Sequence, residues 1–226
     1  MDMIQFINVS KRFESGYEAL SQLSFQVKAG EMIFLTGHSG SGKTTVIKLI
    51  AMLDFPTQGK IIFNELDLQK VSRQEALRLR QQMGIIFQNP HLLPDRTVFD
   101  NVALPLHITG FEARDIPRRV RAALDKVGLL RKEKMFPSML SVGEQQRVSI
   151  ARAIVNKPLV LLADEPTGNL DPELAKDIMT LFQQFHQVGV TLLVASHDLA
   201  LIAKMPHRMV SLQRGRLRKE KDVAYE

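Results

Sequence analysis

The chain has 226 residues, a length that favours one domain carrying an insertion over two complete domains. Hydrophobic residues make up 45% of it and charged residues 24%, an ordinary globular usage that excludes disordered and collagen-like chains. The absence of cysteine excludes disulfides and thiolate metal sites. A net charge of +6 suits contact with phosphates, anionic membranes or nucleic acid, although mildly basic chains are common and the charge discriminates weakly.

The amino terminus and the apolar runs predict a soluble protein that is not exported. Residues 1–5 lack the basic start and apolar stretch of a signal peptide, and no run approaches the roughly 18 apolar residues of a membrane span. The densest basic cluster, residues 214–219, is interpreted as a solvated end rather than a patch for lipid or nucleic acid.

Apolar patterning predicts the strands of an α/β core. Leu23, Phe25 and Val27 alternate with polar residues, which indicates an antiparallel strand at a sheet edge, formed from residues near 1–30 and 59–64. Uninterrupted apolar runs are typical of parallel strands buried on both faces. Three such runs predict the central strands, at residues 32–35, 159–163 and 190–195.

The middle of the chain has a different pattern. Residues 101–108, 117–127 and 141–155 have helical spacing, and Gly128 is placed to stop the second helix. We therefore predict a mostly parallel α/β core, formed by residues 1–88 and 157–226, with an inserted helical subdomain at 89–156.

Residues 37–44 fit the pattern G-x-x-x-x-G-K-[ST] between a predicted strand and a run compatible with a helix. In this pattern the backbone N–H groups surround phosphate oxygens, the lysine reaches the β and γ phosphates, and the last hydroxyl binds Mg²⁺. The pattern predicts a nucleotide site whose residues are Gly37, His38, Ser39, Gly40, Ser41, Gly42, Lys43, Thr44 and Thr45.

Polar residues follow three of the apolar runs. Asp164 and Glu165 close the run 159–163, at the edge where parallel sheets bind ligands. One carboxylate there can hold the metal's water, and the other can orient or deprotonate the attacking water. His197, just past the run 190–195, is predicted to contact the γ-phosphate. Gln88 ends another apolar run, and a glutamine at that place points to function only because the other motifs are present.

The segment 140–147 reads Leu-Ser-Val-Gly-Glu-Gln-Gln-Arg. Ser141 and Glu144 have the spacing of a capping box before a helix. Capping explains these two residues and leaves Gly143 unexplained.

Together these motifs resemble those of the ABC ATPase family, in order and spacing, over nearly the whole chain. The resemblance identifies 37–44 as the Walker A loop, Gln88 as the Q-loop glutamine, 140–144 as the signature, 160–165 as Walker B, 168–171 as the D-loop and His197 as the switch histidine. It implies a single ABC ATPase domain that binds ATP and Mg²⁺ and hydrolyses ATP as a homodimer.

The same resemblance implies the roles of individual residues. Lys43, Glu165 and His197 would be catalytic, whereas Thr44, Gln88 and Asp164 would serve the metal. The aromatic ring of Phe13 would stack on adenine, and Asp171 would contribute to nucleotide binding from the D-loop. Ser141 and Gly143 would meet the γ-phosphate of the nucleotide held by the other subunit.

Stretches outside the catalytic motifs are most similar to a branch of the family that works in bacterial cell division. They lie at residues 36–40, 91–103, 122–129 and 156–158. The resemblance implies a peripheral position on the inner face of the cell membrane, an integral membrane partner, FtsX, and regulation of peptidoglycan hydrolysis. Residues 89–110 are predicted to contact that partner, although the core of the helical subdomain explains their apolar side chains equally well.

Several alternatives stay open. The segment 165–171 is shared with lipoprotein-release and macrolide-efflux ATPases, which are the nearest rival. The basic charge allows a non-transport ATPase on DNA or the ribosome, but the chain has one Walker A and no heptad run, so no nucleic acid is expected. A P-loop kinase would not explain 140–147. An inactive interaction module would not need Lys43, Asp164, Glu165 and His197.

Val142 departs from the family signature, which has glycine at this position. If Val142 is the first helical residue after a Ser141 cap, its φ is ordinary and the local fold survives. The isopropyl group would then project near the facing γ-phosphate. We therefore expect normal ATP binding by the monomer and weakened dimerisation.

Overall fold

The computed structural model describes residues 1–218, which form two β-sheets and seven α-helices. The last eight residues of the predicted core, including Lys219 of the basic cluster, lie outside the described residues. None of the helices in the described range has the length and apolarity that crossing a bilayer requires.

The strands and helices alternate along most of the chain. The strands are β1 (Asp2–Arg12), β2 (Glu18–Lys28), β3 (Met32–Thr36), β4 (Gln58–Phe63), β5 (Leu66–Asp67), β6 (Met83–Ile86), β7 (Val160–Asp164), β8 (Thr191–Ala195), β9 (Arg208–Gln213) and β10 (Arg216–Leu217). The helices are α1 (Lys43–Ile50), α2 (Arg73–Gln81), α3 (Val98–Ile108), α4 (Ile116–Lys126), α5 (Val142–Ile154), α6 (Pro172–Gln187) and α7 (Leu199–Ile202).

The central sheet has six strands in the order β10–β9–β3–β8–β7–β6. All its neighbouring strands pair in parallel except β10, which is antiparallel to β9. Every residue of β3, β7 and β8 is buried, as their uninterrupted apolar runs predict. The predicted α/β fold with a mostly parallel sheet is therefore confirmed.

The antiparallel strands form a sheet of their own, in the order β2–β1–β4–β5. This sheet faces α1 and one side of the central sheet across a single apolar cluster, to which Phe6, Ile33 and Ile47 belong. Because side chains alternate along a strand, Ile33 and Leu35 enter this cluster while Phe34 points to the opposite side of β3. The predicted edge strand β2 is the outer strand of this second sheet.

The predicted helices of the middle segment are present as α3, α4 and α5, and Gly128, with φ 72°, follows the end of α4. They pack on the other side of the central sheet through one continuous apolar cluster that joins Phe34 to Val102 and Ile150. The helical region thus shares its core with the sheet. The proposed division at residues 89 and 156 stays a prediction.

Candidate active site

The loop of residues 37–42 joins the carboxyl end of β3 to the start of α1. Gly37 and Gly42 have φ values of 143° and 108°, a region that side chains rarely adopt. A Cβ on Gly37 would lie 2.3 Å from the carbonyl oxygen of Leu212, and one on Gly42 would lie 2.7 Å from the side chain of Leu20. Both positions therefore need glycine, for conformation and for space.

Lys43 is the first residue of α1, and its buried side chain turns back into the loop. Its Nζ donates to the carbonyl oxygens of Gly37 at 2.7 Å and His38 at 3.3 Å. The same atom lies 3.3 Å from Oε1 of Glu165. The ammonium group thus connects the loop of residues 37–42 to the predicted catalytic carboxylate.

Thr44 and Asp164 are 120 residues apart in the chain and meet at the end of β7. The Thr44 hydroxyl donates to Oδ1 of Asp164 over 3.1 Å. Burial raises the pKa of the Asp164 carboxyl above its ordinary value, and the hydrogen bond from Thr44 opposes that effect.

A hydroxyl and a carboxylate are hard oxygen ligands of the kind that Mg²⁺ prefers, usually with nucleotide phosphates completing the shell. In the described part of the chain there is no cluster of three or more His, Cys, Asp or Glu able to hold a metal by itself. The Thr44–Asp164 pair therefore fits a Mg²⁺ ion that is bound jointly with a nucleotide.

Glu165 directly follows β7 and has φ 49°, in the left-handed region. Its Oε2 lies 2.7 Å from Nδ1 of His197 and also accepts the His197 backbone N–H at 3.3 Å. Glu165 N–H donates to the carbonyl oxygen of Ala195 at the end of β8. The adjacent strand ends thus bring together two residues that are 32 positions apart.

Lys43, Thr44, Glu165 and His197 line a cavity of about 540 Å³, within the usual range for small-molecule sites. Gln88 enters it from the end of β6, and its Nε2 lies 3.5 Å from Oδ1 of Asn169. The residues that line the cavity are Tyr17, Ala19, His38, Ser39, Gly40, Ser41, Gly42, Lys43, Thr44, Thr45, Gln88, Glu165 and His197.

Tyr17 is a cavity residue that the sequence motifs do not reveal. Its hydroxyl donates to the carbonyl oxygen of Gly40 over 3.2 Å, and its ring is nearly parallel to that of Phe13, with centroids 6.4 Å apart. Phe13 itself does not line the cavity. The only signal in the sequence is an aromatic residue four positions after Phe13, in a turn with Gly16.

Both hydrogen bonds of the capping box at the start of α5 are present. Ser141 Oγ accepts the Glu144 N–H at 3.3 Å, and Glu144 Oε2 accepts the Ser141 N–H at 3.1 Å. A hydrogen bond from Lys132 lowers the pKa of the Glu144 carboxyl. Gly143, which capping leaves unexplained, packs so tightly that a Cβ would lie 2.7 Å from Cδ1 of Leu174.

Ser141 and Gly143 do not line this cavity in their own chain. Val142 is the first residue of α5, has no positive φ and is 56% exposed, as expected for a residue after the Ser141 cap. Asp171 caps α6 by accepting the N–H groups of Glu173 and Leu174 at 3.0 Å. The nucleotide contacts predicted for Ser141, Gly143 and Asp171 stay predictions.

Comparison with known proteins agrees with this geometry. A model of the ABC transporter family matches residues 20–168. The cell division ATP-binding protein FtsE of Escherichia coli K12 is 56% identical over 95% of this chain and 97% of its own length. The FtsE protein of Bacillus subtilis is 41% identical, over 94% and 93%.

Solved structures show the same fold. The dimeric ATP-binding cassette MJ0796, bound to ADP and Pi in a post-hydrolysis state, superposes with a TM-score of 0.88 at 32% identity, over 96% of this chain and 97% of that one. Because the family model matches more than half of this chain, the chain belongs to the ABC family of transporter ATPases.

Proposed function

We propose that the chain binds ATP with Mg²⁺, hydrolyses it as a homodimer and drives the membrane protein FtsX in bacterial cell division, so that peptidoglycan hydrolysis is regulated from the inner face of the membrane. The observation that carries the hydrolytic part is the position of Glu165, 2.7 Å from His197 and 3.3 Å from Lys43. The similarity to FtsE proteins over nearly the whole chain supports the cell-division part.

Different residues of the site would have different roles in the reaction. The loop amides and Lys43 would hold the β and γ phosphates, and Thr44 and Asp164 would hold Mg²⁺, which supplies charge neutralisation at the phosphates. Glu165 would accept the proton of the attacking water. His197 keeps Glu165 in place through Nδ1, while its Nε2, which has no hydrogen bond within residues 1–218, would donate to a γ-phosphate oxygen.

The proposed dimer explains why signature residues lie away from the cavity of their own chain. Ser141 and Gly143 open a helix whose N-terminal end would be presented to the nucleotide of the facing subunit, where unpaired N–H groups favour an anion. The dimeric state of the MJ0796 cassette supports this arrangement.

We expect Val142→Gly to strengthen ATP-driven dimerisation without changing ATP binding by the monomer. Val142 is exposed at the start of α5, so its isopropyl group would stand in the trans interface, and its backbone conformation does not require glycine. Both chains should carry Glu165→Gln, so that hydrolysis does not deplete the dimer. Sedimentation of each with ATP gives the dimer affinity, and equal affinities would mean that valine is accommodated.

The exposure of individual side chains identifies which of residues 89–110 are accessible to the proposed membrane partner. Leu92 and Phe99 pack against the core beneath α3, whereas Leu93 is 39% and Ile108 72% exposed. We expect Leu93→Glu with Ile108→Glu to abolish co-purification of FtsX while ATPase activity of the isolated chain persists. Leu66→Glu, at a residue 43% exposed in β5, is the matched control.

Retention of FtsX by the double variant would remove residues 89–110 from the partner surface. Co-purification with the native chain also tests whether FtsX is the membrane partner. Recovery of a lipoprotein-release or macrolide-efflux permease in place of FtsX would overturn the cell-division role and leave the ATPase chemistry intact.

A further inference from the structure

A second cavity, of about 800 Å³, lies at the opposite edge of the central sheet from the phosphate-binding loop. Leu159, just before β7, and Thr191, the first residue of β8, line it together with Gly30, just before β3. The loop of residues 37–42 follows the other end of β3. Five strand residues, or about 16 Å, therefore separate the two edges.

The floor and walls of this second cavity, hereafter the basal groove, are mostly apolar. Ile154, Phe185 and Val190 are partly buried in it, whereas Leu159 is 44% and Val188 77% exposed. An open groove with large exposed apolar side chains is typical of a surface that another molecule covers. None of residues 89–110 lines it, so it is separate from the proposed FtsX surface.

The charged residues that line the basal groove all have one sign. Its lining contains Arg118, Arg119, Lys126 and Lys157 and no carboxylate. The Arg119 guanidinium lies over the ring of Phe111, 4.2 Å from its centroid. The other three cations have no ion pair within residues 1–218. The groove therefore complements a ligand that is both apolar and anionic.

The spacing of the cations along α4 discriminates between kinds of ligand. Arg118, Ala122 and Lys126 recur every four residues and so share one face of the helix. The two cations are about 12 Å apart along the axis, with a small side chain between them. A lipid headgroup carries its charge at one point. A helix can carry two carboxylates two turns apart, and the small side chain of Ala122 lets such a helix approach α4 closely.

From this complementarity we infer that the basal groove binds an acidic amphipathic helix of a partner protein, distinct from the membrane partner. The apolar face of that helix contacts Leu159, Phe185 and Val188, in the helix-in-groove mode. Carboxylates two turns apart on its flank pair with Arg118 and Lys126. The groove thus gives the ATPase a second attachment point that leaves its nucleotide edge free.

Selection from a phage-displayed library of random 16-residue peptides on the full chain tests this inference. The counter-target is the variant Arg118→Glu with Lys126→Glu, and the matched control is Lys60→Glu with Arg131→Glu. Both pairs are exposed, lack ion pairs within residues 1–218 and change the net charge equally. ATPase activity, which depends on the opposite edge, should match the native rate in both.

We expect selected peptides to carry apolar residues three or four positions apart and acidic residues seven or eight apart. Fluorescence anisotropy should show that they bind the groove variant at least tenfold more weakly than the native chain and bind the control variant normally. Enriched peptides without this pattern, or equal binding by the two variants, would overturn the inference. So would a groove-dependent binding of phosphatidylglycerol vesicles without peptide enrichment, which would assign the groove to lipid.

Discussion

Replacement of Lys43 by alanine is expected to abolish ATP binding at nucleotide concentrations that saturate the native chain. The Lys43 ammonium is buried at the centre of the phosphate-binding loop and would be the principal cation facing the β and γ phosphates. Loss of one partner from such a buried charged contact costs about 2–5 kcal/mol, or roughly 30- to 5000-fold in affinity. Fluorescent-nucleotide titration or calorimetry measures the loss.

The matched control for this variant is Lys48→Ala, which removes an exposed lysine from the same helix, α1. It should bind ATP normally. Thermal unfolding of both variants separates a local loss of contact from loss of the fold, because Lys43 also lies beside the Glu165 carboxylate. Unchanged ATP affinity in a folded Lys43→Ala chain would contradict the assignment of the loop.

Replacement of Glu165 by glutamine is expected to leave ATP binding intact and to lower the turnover rate by about 10²–10⁴-fold, the usual contribution of a general base. The amide has nearly the same shape and can still accept the backbone N–H of His197, but it cannot take up a proton. The variant should accumulate an ATP-bound dimer. Phosphate release measures turnover, and size-exclusion chromatography with ATP measures the dimer.

Glu173→Gln is the matched control, because Glu173 is an exposed carboxylate in the first turn of α6. It should hydrolyse ATP at the native rate. A native rate in Glu165→Gln itself would mean that another residue positions the water. His197→Ala should then be measured, since loss of the Nδ1 contact at 2.7 Å would release Glu165 from its present position.

The sequence predicted the parts of the fold that depend on neighbouring residues. Uninterrupted apolar runs marked β3, β7 and β8 because a strand covered on both faces is mostly apolar along its length. The capping box of α5 was visible because both of its hydrogen bonds join Ser141 and Glu144, three residues apart. A box of the same kind, between Ser72 and Glu75, begins α2, although apolar spacing did not predict a helix there.

The sequence also predicted residues that the structure gathers around one cavity, since the loop pattern and the polar strand ends are read directly from residue types. It did not predict their contacts. The 3.1 Å bond between Thr44 and Asp164 and the 2.7 Å contact between Glu165 and His197 exist because parallel strands end at one edge of the sheet. Strand order, which involves segments far apart in the chain, decides those distances.

Tertiary packing alone decided three further features. The antiparallel strands form their own sheet because α1 and a shared apolar cluster separate them from the central sheet. Gly143 packs against Leu174 of another helix, a contact that no pattern within 140–147 contains. Tyr17 reaches the cavity because its hydroxyl meets Gly40 across 23 residues. Local chemistry thus determined the motifs, and long-range packing determined where each side chain acts.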